Sequence, residues 1–216
     1  MDAKEFIVRR TAKFFKDGDV VNLGIGMQTM VANYIPEGVD VWLDTENGAI
    51  GLNGEPDAEH TDLDLVDATG VPTTLRTGAC CFDSFTSFGL IRGGHVAFTI
   101  LGAFEVDQEG NLANWTVPGK ITVGMGGAMD LVSGARQVLI TTLHTDKNGN
   151  SKILKKCRLP LTAVHAVDYI ITELCVLHYN GEGLVLEELA PGVTVEEVIA
   201  KTEADLIIPE QIGSMV

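Results

Sequence analysis

Three stretches of this chain hold residue types that could do chemistry together. The first is TENG, Thr45 to Gly48, which sets a single carboxylate, Glu46, between a threonine and an asparagine at the end of the apolar run VDVWLD. A carboxylate is ionised near neutral pH and can act as a nucleophile without a separate base. In an open α/β sheet, ligands bind beyond the carboxyl ends of the strands, so a polar turn at such an end is a candidate site. The other reading is a plain turn in which Asn47 and Gly48 supply the tight geometry and Glu46 is surface. The residues of the stretch leave both open.

The second stretch is GMGGAMD, Gly124 to Asp130. Its three glycines, among them Gly126 and Gly127, leave backbone N–H groups uncovered at the start of a predicted helix and could cradle an anion. A tight connection that needs positive φ would explain the same glycines without any ligand. The third stretch is GIGMQT, Gly24 to Thr29, which lies between a predicted strand and a predicted helix. It matches the first part of a dinucleotide-binding turn, with Gly24 and Gly26 in place. The third glycine is absent, and the acidic residue expected about twenty positions on could be Asp44 or Glu46.

The elements that must position these stretches read as alternating β and α. Asp2 is a candidate cap for a first helix whose apolar residues Ala3, Ile7, Val8, Phe14 and Phe15 fall mostly on one side, and KDGD ends it. VVNLGIG is a strand running into glycines, TMVANYI has helical spacing up to Pro36 and Gly38, and VDVWLD is the next buried strand. HVAFTILGAFEVD, KITVGMGG and RQVLITTLHT are further strand-like runs, with a short helix over residues 128–132. YIITELCVLHY, the turn NGEG and GLVLEELA read as an antiparallel hairpin. Thr194 and Glu197 form a capping box for a last helix before the short strand ADLIIP. No linker or repeat divides the chain, so residues 1–216 are expected to form one domain of α/β class. Its sheet is expected to be single, open, mixed and mostly parallel, flanked by helices in Rossmann-like layers, with antiparallel strands toward the C-terminus.

Composition removes several function classes. Thirty acidic residues against fifteen basic ones give a net charge of -15, which repels a nucleic-acid backbone. The run from Glu55 to Asp67, with six acids and no base, reads as a solvated surface excursion. Cys80 and Cys81 are adjacent while Cys157 and Cys175 stand alone, which is neither a disulfide framework nor a zinc spacing. His60, His95, His144, His165 and His178 make no HxxxH or HExxH arrangement, so no metal site is expected. No apolar run reaches the roughly 20 residues of a membrane span, and the charged N-terminus lacks a secretory signal, so a cytoplasmic location is expected.

Seven blocks occur in an order and spacing that resemble a known family: ENG after a strand, RGGH at Arg92 to His95, LGAFEVD, GNLANW, VPGK, GMGGAMDLV and CRLPLT. Over nearly the whole chain they are similar to the beta subunits of family I CoA-transferases. The nearest group is the beta subunits of acetate, butyrate and acetoacetate CoA-transferases, also called 3-oxoacid CoA-transferases. The chain departs from the family pattern at Thr45, where serine is usual, at Ala49, where a large aliphatic residue is usual, and at Gln28, where proline is common.

The resemblance implies that CoA is exchanged between carboxylic acids by a ping-pong route with Glu46 as nucleophile and a covalent glutamyl-CoA thioester. It places Gly127 and Ala128 at the oxyanion-hole positions and a lysine near CoA at Lys147, which could equally be an exposed turn residue. In so acidic a chain the CoA phosphates need local donors, for which the N–H groups of LGIG (Gly24, Gly26) are a further candidate. Asn47 and Gly126 complete the expected substrate-binding set. Coenzyme A is then a substrate and no cofactor is needed. The implied partner is an alpha subunit, in a heterotetramer or heterooctamer. A CoA-ester hydrolase on the same scaffold and a non-enzymatic nucleotide-binding module are the competing readings.

Overall fold

The computed structural model describes residues 2–216. Helix α1 (Ala3–Ala12) buries Ile7, Val8 and Ala12, as its apolar spacing predicts; Asp2 occupies the N-cap position but its side chain makes no capping bond. Strand β1 (Val20–Leu23) leads into a 3-10 helix, Met27–Tyr34, where the spacing suggests an α-helix. Its buried residues Gln28 and Val31 stand three apart, the repeat of a 3-10 helix. The Gln28 amide is tied to the Thr141 carbonyl at 3.1 Å and hydroxyl at 2.8 Å, a tertiary anchor invisible to local periodicity.

Strands β2 (Trp42–Thr45) and β3 (Ala49–Leu52) form a tight hairpin around Glu46. β4 (Leu75–Cys81) and α2 (Ser84–Arg92) follow, and neither stands out in the sequence pattern. β4 is an edge strand with little burial and so shows no alternation, while α2 is announced chiefly by Asp83, which accepts the Thr86 N–H at 2.7 Å.

β5 (Phe98–Leu101) is buried throughout. The run that continues it is a separate strand, β6 (Glu105–Asp107), paired with β7 (Leu112–Ala113). β8 (Thr116–Val117) and β9 (Ile121–Thr122) make a two-stranded ribbon, so KITVGMGG contributes only two exposed strand residues before the glycines. Helix α3 (Ala128–Gly134) precedes β10 (Gln137–Thr141). β11 (Ile153–Leu154) joins β6 to complete a three-stranded sheet. YIITELCVLHY is two antiparallel strands, β12 (Tyr169–Ile171) and β13 (Cys175–Tyr179), and β13 forms the expected hairpin with β14 (Leu184–Leu189). Thr194 accepts the Glu197 N–H to open α4 (Val195–Lys201), and β15 (Leu206–Ile207) and β16 (Gly213–Ser214) end the chain.

The main sheet has eleven strands in the order β15-β14-β13-β12-β10-β5-β1-β2-β3-β4, with β16 beside β14. The central run β12, β10, β5, β1, β2 is parallel. Antiparallel strands lie at both ends, toward the N-terminal β3 and β4 as well as toward the C-terminus. Two small sheets stand beside the expected large one.

Successive residues of the central strands belong to different clusters: Val138 and Ile140 of β10 pack with Val132 of α3 and Val198 of α4, whereas Leu139 packs with Ile7 and Val8 of α1. Both faces of the sheet are covered, as a parallel sheet requires. Because β1, β2, β5 and β10 run the same way, their carboxyl ends meet on one side, and β1 has β2 on one flank and β5 on the other.

Candidate active site

Glu46 follows the last residue of β2 directly. The turn that holds it closes with the Gly48 N–H on the Thr45 carbonyl at 3.0 Å. Gly48 has φ +128°, and a Cβ there would stand 2.2 Å from the Phe82 carbonyl oxygen, so only glycine fits. The Thr45 hydroxyl donates to Asn47 Oδ1 at 2.8 Å and accepts the Ala68 N–H at 2.9 Å. Asn47 Nδ2 donates to the Val66 carbonyl at 2.8 Å. Thr45 and Asn47 thereby bind the acidic excursion to the turn. Three of the four TENG residues are spent on the fold, and the fourth, half-buried Glu46, keeps its carboxylate for something else.

That carboxylate lies between β1 and the start of α3. Glu46 Oε2 accepts from Asn22 Nδ2 at 3.1 Å. On the other side, a Cβ added to Gly127 would stand 3.2 Å from Glu46 Cγ and 3.4 Å from Oε1. Gly127 thus lies in close contact with the glutamate side chain, which would have to shift slightly for any larger residue. Gly124 (φ +89°) and Gly126 (φ +52°) answer to the other reading, a connection that needs positive φ. The positive φ values account for Gly124 and Gly126 without any ligand, while Gly127 lies against the Glu46 side chain.

Its N–H groups differ. Gly124 donates to the Trp115 carbonyl at 3.3 Å and Ala128 to the Met125 carbonyl at 3.1 Å. The Gly126 and Gly127 N–H groups have no bonding partner among the described residues. Of the two expected oxyanion donors, Gly127 is free beside Glu46, whereas Ala128 must exchange its bond to Met125 before it can serve.

Sequence reasoning missed Asn22 and did not resolve Asp44. Asn22 (1 % exposed) and Asp44 (7 % exposed) are register partners on parallel β1 and β2, so their side chains lie together on one face. Asn22 Nδ2 donates to Asp44 Oδ2 at 3.2 Å, sharing one amide between Asp44 and Glu46. Burial pushes the Asp44 carboxyl up to about 6, against the lowering effect of the Asn22 bond and with the help of the Glu46 charge. Asn22 Oδ1 is buried without a partner. The available signal was a buried strand reading VVNL, in which the asparagine is the one polar residue.

The other predicted residues lie around this centre with different fates. Gly24 donates its N–H to the Ile100 carbonyl at 2.8 Å, and a Cβ there would meet that same oxygen at 2.8 Å, so Gly24 serves close packing of the chain against β5. Gly26 (φ +101°) is exposed at the start of the 3-10 helix. Lys147 is exposed in the turn after β10 and has no ion pair among the described residues. Gln28 reaches from the 3-10 helix to Thr141 and lies against Gly102, so it spans the carboxyl ends of β10 and β5. No group of three or more His, Cys, Asp or Glu is placed to hold a metal ion, and no helix is long and apolar enough to cross a membrane, among the described residues.

A second buried polar group, His144 with Cys175, is not a nucleophilic pair. His144 is fully buried, with Nδ1 at 3.0 Å from Thr172 Oγ1 and Nε2 at 2.8 Å from Thr202 Oγ1. Burial brings the imidazole down to about 4 and pushes the Cys175 thiol up to about 12, so both are neutral near pH 7.

Comparison with known proteins adds an independent line. The family model described as Coenzyme A transferase matches residues 4–201. The chain is 53 % identical over 215 residues to the beta subunit of the acetate CoA-transferase of Haemophilus influenzae, covering 100 % of this chain and 96 % of that one. It is 47 % identical over 211 residues to the corresponding subunit of a probable succinyl-CoA:3-ketoacid coenzyme A transferase of Bacillus subtilis, covering 98 % of each. Among solved structures, the acyl-CoA transferase YdiF of Escherichia coli O157:H7 has the same fold, with a TM-score of 0.81 at 23 % identity; the match covers all of this chain and 43 % of that one.

Proposed function

This chain belongs to the coenzyme A transferase family, and on that premise we propose that it is the beta chain of a two-subunit enzyme that moves CoA between short-chain carboxylic acids or 3-oxo acids. Acetate, butyrate and acetoacetate are the substrates in view, with an acyl-CoA as donor. The names of its relatives support this reading, because they are subunits of acetate and 3-ketoacid CoA-transferases. Being named as subunits, they also support a partner chain; we take it to be an alpha-type subunit, in a heterotetramer or heterooctamer, with residues 1–216 acting as one domain.

The observation that carries the mechanism is the state of the TENG turn. Thr45, Asn47 and Gly48 are consumed by the fold, while Glu46 stands at a strand's carboxyl end with Oε2 held by Asn22 and Oε1 beside Gly127. Oε1 is then the attacking atom. It adds to the thioester carbonyl of the acyl-CoA, and the CoA thiolate leaves to give a mixed anhydride. The thiolate adds to the Glu46 carboxyl carbon, the acyl group departs as a free carboxylate carrying Oε1, and a glutamyl-CoA thioester remains. An incoming acid reverses both steps with its own oxygen, so no ATP or metal enters the balance.

Two carbonyl oxygens gather charge in turn, and each has a donor. The Gly127 N–H serves the acyl oxygen, joined by Ala128 once its bond to Met125 is exchanged. Asn22 Nδ2 serves Oε2 when the thiolate adds to Glu46. Preorganised donors of this kind contribute about 3 kcal/mol each. Contacts to the remote nucleotide of CoA can lower the uphill anhydride step, and Gly26, Gly126 and Lys147 are the groups free to make them. Asn47 and Gly24 hold the frame.

The test is covalent. Incubating the complex of both subunits with acyl-CoA should add the mass of CoA less one water to the peptide containing Glu46, and borohydride or hydroxylamine should inactivate the complex only in that state. Absence of the adduct during turnover would overturn the mechanism. Supplying acetate with the acyl-CoA separates transfer from hydrolysis: CoA passing to acetate supports the proposal, and CoA released to water supports a hydrolase on the same scaffold.

A further inference from the structure

The reaction just described uses Glu46 and leaves Asp44, a second buried carboxyl two residues away, without a task. Asp44 and Asn22 face each other in register on neighbouring strands, and Glu46 lies diagonally beyond. The two hydrogens of Asn22 Nδ2 point at Asp44 Oδ2 (3.2 Å) and Glu46 Oε2 (3.1 Å). The other end of the same amide, Oδ1, is buried with no partner among the described residues. Nothing on the oxygen side fixes the amide plane, so its two acceptors alone set its orientation. One acceptor, Glu46, changes from carboxylate to anhydride to thioester during the reaction. The one that stays constant is Asp44.

We propose that Asp44 is a positioning residue: as a carboxylate it clamps the Asn22 amide, which keeps one N–H aimed at Glu46 Oε2 while Glu46 is acylated and released, and its protonation relaxes the clamp. An ionised oxygen accepts roughly twice as strongly as a neutral one, so the clamp weakens when Asp44 takes up a proton. The charge facing Asp44 is that of Glu46. Ile50 of β3 is its register partner on the other flank, and β5 carries no charged residue. Asp130 on α3 is paired with Arg92 of α2 at 2.7 Å. Arg76 of β4 is bound to Asp40 and stacked on Trp42 at the amino end of β2. No cation therefore holds Asp44 ionised, and its titration falls where burial puts it, at about 6.

This inference rests on Glu46 as the attacking group. It is tested in the two-subunit complex by following CoA transfer from acyl-CoA to acetate between pH 5 and 8.5. For the unaltered complex, kcat should fall as pH drops through the range around 6. Asp44→Asn offers Asn22 only a neutral acceptor and cannot titrate, so it should hold kcat near the low-pH level of the unaltered complex across the whole range and lose the acid limb. Asp44→Ala removes the clamp and should lower kcat by about 30-fold at pH 8, with the deficit shrinking as pH falls below about 6 and KM for acyl-CoA changed less than about twofold. An Asp44→Asn complex that keeps the acid limb, or an Asp44→Ala complex with normal kcat, overturns the inference while a CoA adduct on Glu46 leaves the mechanism standing. If the unaltered complex never forms that adduct, the mechanism fails and this inference with it.

Discussion

Two buried polar clusters divide the labour of this molecule. Around His144 every polar group is answered: both ring nitrogens have hydroxyl partners and the backbone N–H reaches Glu173 at 3.0 Å. Around Asn22 two carboxylates share one amide, and the amide oxygen has no partner. Leaving such a group unpaired costs about 1–3 kcal/mol. Native structures accept this where the local arrangement serves a reaction rather than stability. The satisfied cluster locks β10 and β12 to the end of α4; the unsatisfied one holds Glu46.

Three changes would sharpen or break that contrast. The largest effect is expected at the proposed nucleophile: Glu46→Asp withdraws the carboxylate by one methylene and should lower kcat by about 100-fold or more, because a small misplacement of an attacking atom is expensive. The urea midpoint should shift little, since the side chain is only half-buried; a near-normal rate would refute direct attack.

In the other cluster the sign reverses. His144→Ala should cost about 3 kcal/mol of stability through a buried cavity and the loss of the two ring hydrogen bonds, with the activity of the folded complex retained. Because the folded imidazole titrates at about 4, below its ordinary 6.5, the unfolded chain takes up its proton first. Stability should therefore drain away as pH falls from about 6.5 to about 4, and the variant should lack that slope. A loss of kcat without a loss of stability would place His144 in the chemistry and end the contrast.

The smallest effect is expected from Asp44→Asn. The folded carboxyl titrates near 6, above its ordinary 3.8, so its contribution to stability is fully present below about 3.8 and is lost as pH rises through about 6. Replacing a buried carboxylate with a neutral amide should raise stability by about 2 kcal/mol at pH 8, with the gain shrinking toward zero near pH 4. Thermal melts at the two pH values measure it. A destabilised variant at pH 8 would show that the ionised pair holds the fold together.

Much of this is legible in the sequence itself. VDVWLD followed by TENG put Glu46 at a strand's carboxyl end, and the Thr194–Glu197 spacing announced α4, because both signals are local. β4 was invisible, since an edge strand with little burial carries no alternation, and α2 offered little beyond its Asp83 cap. The three departures from the family pattern acquire physical content only in the fold. Thr45 supplies the hydroxyl that links Asn47 to Ala68, Gln28 bridges two strand ends, and Ala49 sits buried between Thr45 and Cys81.

By itself the sequence determined the alternation of β and α, the place of the carboxylate proposed as nucleophile and the family, because each is written in neighbouring residues or in ordered blocks. Only the tertiary structure decided which glycine yields space to Glu46, which N–H groups remain free, and that Asn22 and Asp44 stand at its side. Those facts depend on residues 24 and 81 positions away from Glu46 being brought within a few ångströms by strand register and helix packing, and no local pattern encodes a register.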